Sequence, residues 1–240
     1  MKYLICILII SCSSLNLSAN NTPDPVRTNV FAFSGLKIRT APGLDGQVLT
    51  VIPFGETVEI ITSESTLETI EWMEGQWIKV EFEGIQGFVF DGFLSDLPVP
   101  SFDFELSQND LDLTYPMIAW AEYNFDEVSQ NDTINRGDHN KIIQYMEKGI
   151  VLSREDSDYS FNTSIELPNV TISEAYNIMK SMLLTKSERT IYDNNAIYIN
   201  GADGKLNQIK IKMDSPVDIK KLKNGNTKIS VSAFHVGCGL

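Results

Sequence analysis

The chain has 240 residues, 42% of them apolar and 21% charged, a length and balance that suit two small folded units better than one large one. Its net charge of -13 argues against nucleic acid as a partner, since Lys and Arg must neutralise phosphates there. Three cysteines, two of them (Cys6 and Cys12) within the first dozen residues, exclude a disulfide framework, and no run approaches the roughly 18 apolar residues of a membrane span.

Residues 1–19 read as a signal peptide. Lys2 supplies a positive start, Tyr3 to Ile10 an apolar stretch of signal length, and Ser and Asn residues follow. Two processing sites compete. Ile9-Ile10-Ser11-Cys12 resembles a lipobox, which would make Cys12 the lipid attachment site, whereas Leu17-Ser18-Ala19 offers an ordinary peptidase site. A lipid anchor on Cys12 would hold the chain at a membrane, each acyl chain adding about 0.8 kcal/mol per buried methylene. Residues 20–28, with Pro23 and Pro25, read as an extended tether.

From 29 to 98, short alternating runs are separated by turn residues, the signature of a small barrel. Leu36 and Ile38 oppose Lys37 and Arg39; Val58 and Ile60 oppose Thr57 and Glu59; Ile78, Val80 and Phe82 oppose Trp77, Lys79 and Glu81. Pro42, Gly43, Gly46 and Pro53 to Gly55 are turn chemistry, and Glu83-Gly84 closes a hairpin into Gly87-Phe88-Val89.

The skeleton Gly35 to Pro42, Gly46 to Glu56, Trp77 to Val80 and Gly84 to Val89 resembles the bacterial SH3 (SH3b) domain. That resemblance implies an all-β SH3-like barrel, with Arg39, Gly87 and Phe93-Leu94 fixing loops and filling the barrel end. It further implies recognition of a cell-wall peptide or an envelope protein. Residues 62–75 lengthen one connection and carry Glu64, Glu68, Glu71 and Glu74 around Trp72 and Met73. This insertion reads either as a solvated hairpin extension or as an exposed recognition tip for an amine-bearing peptide. Trp72, Trp77, Phe90 and Arg39 are the candidate ligand contacts.

Pro98 and Pro100 mark the boundary to residues 101–240, which resemble no family and read as an α+β domain of helices beside a mainly antiparallel sheet. Pro116 to about Gln130 predicts a helix, and Asp138 to Gly149 a second, on the spacing of Ile142, Ile143 and Met146. Ile150–Arg154 and Tyr159–Leu167 predict a hairpin, and Thr171-Ile172-Ser173-Glu174 a capped helix burying Ala175, Ile178, Met179, Met182 and Leu183. Thr190–Asn200, Asn207–Asp214 and Thr227–Phe234 read as strands. Residues 205–228 hold seven lysines against two aspartates, read as a solvated sheet face or an anion contact.

Little here suggests catalysis. His235-Val236-Gly237-Cys238 resembles the Ser-His-Gly-Cys motif of L,D-transpeptidases only loosely, because the His is three residues before the Cys and the following Arg is absent. The two histidines form no zinc pattern, Asp203-Gly204 lacks a calcium-ligand series, and phosphate loops and cofactor motifs are missing. The expectation is an exported, lipid-anchored, non-catalytic envelope binding protein. The alternatives are an enzyme using Cys238 and His235, or a scaffold or inhibitor acting through residues 101–240.

Overall fold

Alternating side chains organise the first unit of the computed structural model, which describes residues 26–62, 67–100, 112–136, 139–158 and 160–234. Its strands are β1 (Arg27–Val30), β2 (Leu36–Arg39), β3 (Val48–Ile52), β4 (Thr57–Thr62), β5 (Leu67–Ile70), β6 (Met73–Phe82), β7 (Ile85–Phe90) and β8 (Leu94–Ser95). They pair antiparallel in the order β3-β2-β7-β6-β4-β1-β8, with β5 on β6. Leu36, Ile38, Val58, Ile78 and Val80 point inward as their period requires, joined by Val30, Ile52, Val89 and Leu94. Glu83 and Gly84 take φ 50° and 77° in the two-residue hairpin turn between Phe82 and Ile85. At Gly87 the strands approach so closely that a Cβ would lie 2.4 Å from Ile38 Cγ2.

One alternation breaks. Trp77 was expected on the face opposite Ile78, yet both are buried, at 3% and 4% exposure. Strand β6 changes partners along its length. Met73 and Trp77 pack with Phe90 in a small cluster of their own, while Ile78 and Val80 enter the barrel core.

The second unit is mostly sheet. Its strands are β9 (Glu127–Arg136), β10 (His139–Met146), β11 (Val151–Asp156), β12 (Ser160–Leu167), β13 (Ala196–Asn200), β14 (Leu206–Ile211), β15 (Val217–Lys221) and β16 (Thr227–Phe234). They form one antiparallel sheet in the order β13-β14-β15-β16-β12-β11-β10-β9. Helices α1 (Thr114–Asn124), α2 (Ile172–Ser181) and α3 (Lys186–Asn194) accompany it among the described residues. Trp120, Met117 and Ala121 of α1 and Ala175, Ile178 and Met179 of α2 join Leu152, Ile165, Ile209, Ile219 and Val231 of the sheet in one core.

Three expectations for this unit are corrected. The helix read from Pro116 to about Gln130 ends at Asn124, and Glu127 onward is strand β9. The stretch ending at Gly149 is strand β10, hydrogen-bonded to β9 and β11 on its two sides, although Ile142, Ile143 and Met146 also fit a helical face. Asp138, where that helix was expected to begin, lies outside the described residues. Thr190–Asn194 continues α3 rather than starting a strand. Thr185 and Glu188 form a reciprocal capping box that opens that helix. The box at Thr171 and Glu174 does the same for α2, as its sequence indicates.

The two units share a seam. Asn177 of α2 donates through Nδ2 to the Gly92 carbonyl (3.1 Å) in the 3-10 turn Asp91–Phe93 that follows β7. Phe31 and Leu97 of the first unit belong to the core of the second, and the Trp120 indole N–H donates to the Pro98 carbonyl (3.0 Å). The Pro-rich boundary is therefore packed, not a free hinge. No helix among the described residues is long and apolar enough to cross a membrane.

Candidate functional site

A groove of about 400 Å³ opens where the barrel meets α2. Its walls come from the segment Phe31–Lys37, from Arg39 and Leu44, from Ile70, Trp77, Phe90 and Phe93, and from Asn177 and Lys180 of α2. Three of the four sequence-nominated residues, Arg39, Trp77 and Phe90, meet here. They do not stand on an open rim. Trp77 and Phe90 are each 3% exposed, with ring centroids 5.8 Å apart, and form the groove's inner wall. The Trp77 indole N–H donates to Glu68 Oε2 of β5 (2.9 Å), so the indole offers the groove an apolar surface with its donor already satisfied.

Arg39 has the loop-fixing role that the resemblance implies. Its Nη1 donates to the carbonyls of Leu44 (2.9 Å) and Gly46 (2.8 Å), bracing the connection between β2 and β3. Gly46 fits beneath because a Cβ there would meet the Ala41 carbonyl oxygen at 2.6 Å.

Sequence reasoning missed Phe33, Lys37, Asn177 and Lys180. Phe33 stacks on Phe54 (4.4 Å, 11° between planes), and the Arg189 guanidinium of α3 lies 4.3 Å from its ring centroid. Arg189 itself is held by the carbonyls of Leu183 and Leu184. Lys180 Nζ pairs with Asp193 Oδ2 at 2.6 Å, and the Tyr176 hydroxyl donates to the other Asp193 oxygen at 2.6 Å, tying α2 to α3. Burial and the Asp193 hydrogen bond hold Tyr176 far above the usual phenol range. Phe33 could have drawn notice as an aromatic preceding the Gly35 turn. Asn177 and Lys180 come from a segment that shares no motif with the barrel.

Trp72 is elsewhere, and the exposed-tip expectation fails. It sits in the two-residue turn between β5 and β6, half-buried, stacked on Tyr198 of β13 (4.7 Å) and edge-on to Tyr176 (4.8 Å). From Leu67 onward the insertion is a docking hairpin that clasps the second unit.

A second groove, about 410 Å³, lies on the other side of Gly92 and contains Glu74, Asp91, Asp96, Glu174 and Lys221. Its two most buried acids have structural employment. Asp91 Oδ1 accepts from the Gln76 N–H (2.6 Å), and Glu174 Oε2 accepts from the Thr171 N–H (2.7 Å). Burial pushes both carboxyls above their ordinary values despite those bonds.

The lysine-rich strands do not make one face. Lys210 and Lys212 are exposed, whereas Lys221 turns inward to the Val170 carbonyl (2.7 Å), where burial lowers its pKa. Lys228 pairs with Glu166 at 3.7 Å. Cys12, His235 and Cys238 lie outside the described residues. Among the described residues, no group of three His, Cys, Asp or Glu side chains could hold a metal ion.

The barrel is a bacterial SH3 domain: residues 34–95 match the model of the family described as "Bacterial SH3 domain". The match takes in the groove's barrel side from Ser34 to Phe93 and the docking hairpin, leaves out Phe31 to Phe33, and stops short of the second unit. No curated protein and no solved structure matches the chain.

Proposed function

We propose that the chain is an exported, non-catalytic cell-envelope protein whose SH3 domain holds a cell-wall peptide or an envelope protein in the groove lined by Phe33, Trp77, Phe90 and Phe93. Bacterial SH3 domains form a family of cell-wall-binding modules, and that family membership of residues 34–95 supports the class of partner. The observation that carries the reading is the groove itself. Five aromatic residues, these four and Phe31, line one concavity of about 400 Å³, the size and character of a site for a short peptide or sugar-peptide segment. Aromatic anchors in such a concavity supply most of the binding energy of an interface.

The reading locates the protein at the envelope, with Cys12 as the lipid-bearing residue and the N-terminal anchor as its membrane contact. Co-sedimentation with purified sacculi tests the binding. The full chain pellets with sacculi, and Phe33→Ala, which removes a half-buried ring from the groove wall, pellets much less while retaining its thermal midpoint within a few degrees. Equal pelleting of the two proteins removes the groove from consideration. Acyl labelling of wild type against Cys12→Ala tests the anchor, and labelling that persists in the variant rules that residue out.

A further inference from the structure

We infer that the groove's occupant is a peptide presenting a carboxylate beside an apolar side chain, and that the second unit helps to hold it. This rests on the binding reading above and goes on to name the ligand chemistry.

The charge of the groove contradicts the charge of the chain. The protein carries 32 acidic against 19 basic residues, yet the groove is lined by Lys37, Arg39 and Lys180 and by no acid. The three cations are not equally available. Lys180 is held by Asp193, and Arg39 has Nη1 committed to the Leu44 and Gly46 carbonyls. Lys37 is exposed on β2 and has no ion-pair partner among the described residues. An amine would find no carboxylate among the lining residues, whereas a carboxylate would meet Lys37 with Arg39 beside it, Lys180 being already paired with Asp193.

The walls define the remainder of the ligand. Phe33 is fixed between Phe54 and Arg189, and the Trp77 N–H is occupied by Glu68, so the aromatic surfaces offer rigid apolar contact rather than hydrogen bonds. Asn177 lines the groove, is 5% exposed and donates its Nδ2 to the Gly92 carbonyl, so its amide oxygen is the acceptor it can offer. That acceptor suits a peptide N–H, which a simple fatty acid lacks. A polyanion is disfavoured by the -13 net charge acting over distance, whereas a single carboxylate needs attraction only within about 8 Å, the screening length at physiological salt.

Calorimetric titration of the full chain tests this. The first probe is the muropeptide pool released from sacculi by a muramidase, used as released and after carbodiimide capping of its carboxyls with glycinamide. The second is N-acetyl-Phe-Ala with a free C-terminus, against its amide and against N-acetyl-Phe-Glu-amide, which moves the carboxylate to a side chain. Capping or amidation weakens binding about tenfold, the loss expected for one charge-assisted hydrogen bond. Lys37→Glu weakens the uncapped probes by a similar factor and leaves the capped ones unchanged, and Lys180→Gln gives a smaller loss in the same direction.

Equal binding of capped and uncapped muropeptides overturns the carboxylate inference and leaves the cell-wall reading standing. Binding of N-acetyl-Phe-Ala without any binding of muropeptides does the reverse. Binding retained by N-acetyl-Phe-Glu-amide while the amide of N-acetyl-Phe-Ala weakens supports the inference and places the carboxylate at a side chain, not at the C-terminus. Failure of both probe sets overturns the inference.

Discussion

The Trp72 indole lies on the Tyr198 ring, with centroids 4.7 Å apart and planes 25° from parallel, so an inserted hairpin of the SH3 domain is clamped to the edge strand of the second unit. Tyr176 closes the same contact from α2. This aromatic clasp joins the Asn177 to Gly92 hydrogen bond in fastening the seam where α2 meets the barrel. Because α2 also supplies Asn177 and Lys180 to the groove, whatever fixes the seam fixes the site.

Removing the clasp costs stability. Full truncation of a buried Trp destabilises by about 3–5 kcal/mol, and Trp72 is only half-buried, so Trp72→Ala loses about 2 kcal/mol. Trp72→Phe recovers about half of that. Urea unfolding of the three proteins measures it, and an unchanged midpoint for Trp72→Ala would show that the stacking contributes nothing.

Asn177→Ala leaves the Gly92 carbonyl in a buried seam without its donor, at a cost of about 1–3 kcal/mol. Both fastenings tie the barrel to α2, through Tyr176 and the adjacent Asn177, so the double variant Trp72→Ala, Asn177→Ala departs from additivity by more than about 0.5 kcal/mol. Strict additivity would mean that the clasp and the hydrogen bond report on separately opening regions.

How much of this was legible differs from element to element. The period-two sets of the barrel, the Glu83-Gly84 turn and the Thr171 capping box were readable because each is decided by neighbours in sequence. Trp72 was misread because an aromatic ringed by Glu residues looks solvated until Tyr176 and Tyr198, more than a hundred residues away, cover it. The Ile142, Ile143, Met146 spacing satisfies a helix, and only pairing with β9 and β11 makes it a strand. Thr185-Lys186-Ser187-Glu188 carried the α3 start in plain view, and the β-branched and aromatic residues after it, Thr190, Ile191 and Tyr192, pointed wrongly to a strand. Of the groove, its barrel residues were visible as candidates. The contribution of α2 could not be, since nothing local to Asn177 or Lys180 says what they face.

Acid stability follows from Asp91 and Glu174. Both carboxyls titrate above their ordinary values in the folded protein, chiefly because burial penalises their charged forms. The folded state therefore holds protons that the unfolded chain has released. Their contribution is most favourable at low pH and is lost as pH rises from the ordinary carboxylate range through the raised folded values. Asp91→Asn keeps an acceptor for the Gln76 N–H and removes the titration. Its stability relative to wild type thus rises with pH across that window and levels off above it. Thermal midpoints of both proteins across the acid range measure the difference, and parallel curves would exclude Asp91 as the source.

Gly87 tests the barrel itself. A Cβ at this position would lie 2.4 Å from Ile38 Cγ2, 2.6 Å from the Arg39 carbonyl oxygen and 3.2 Å from Leu49 Cδ1. The carbonyl is backbone of β2, which is held by β3 on its other side and cannot retreat without breaking that ladder. Overpacking of this kind costs about 1–3 kcal/mol where side chains can yield, and here backbone must move as well. Gly87→Ala therefore destabilises by about 3 kcal/mol or more, and because Arg39 braces the loop at the groove mouth, it also lowers sacculus binding in the protein that remains folded. Gly84→Ala is the control, since that position has open space around it and a positive φ of 77°, so its loss is confined to about 1–2 kcal/mol of turn strain. If the two alanine variants unfold at the same urea concentration, the close approach of β2 and β7 is not what holds the barrel together.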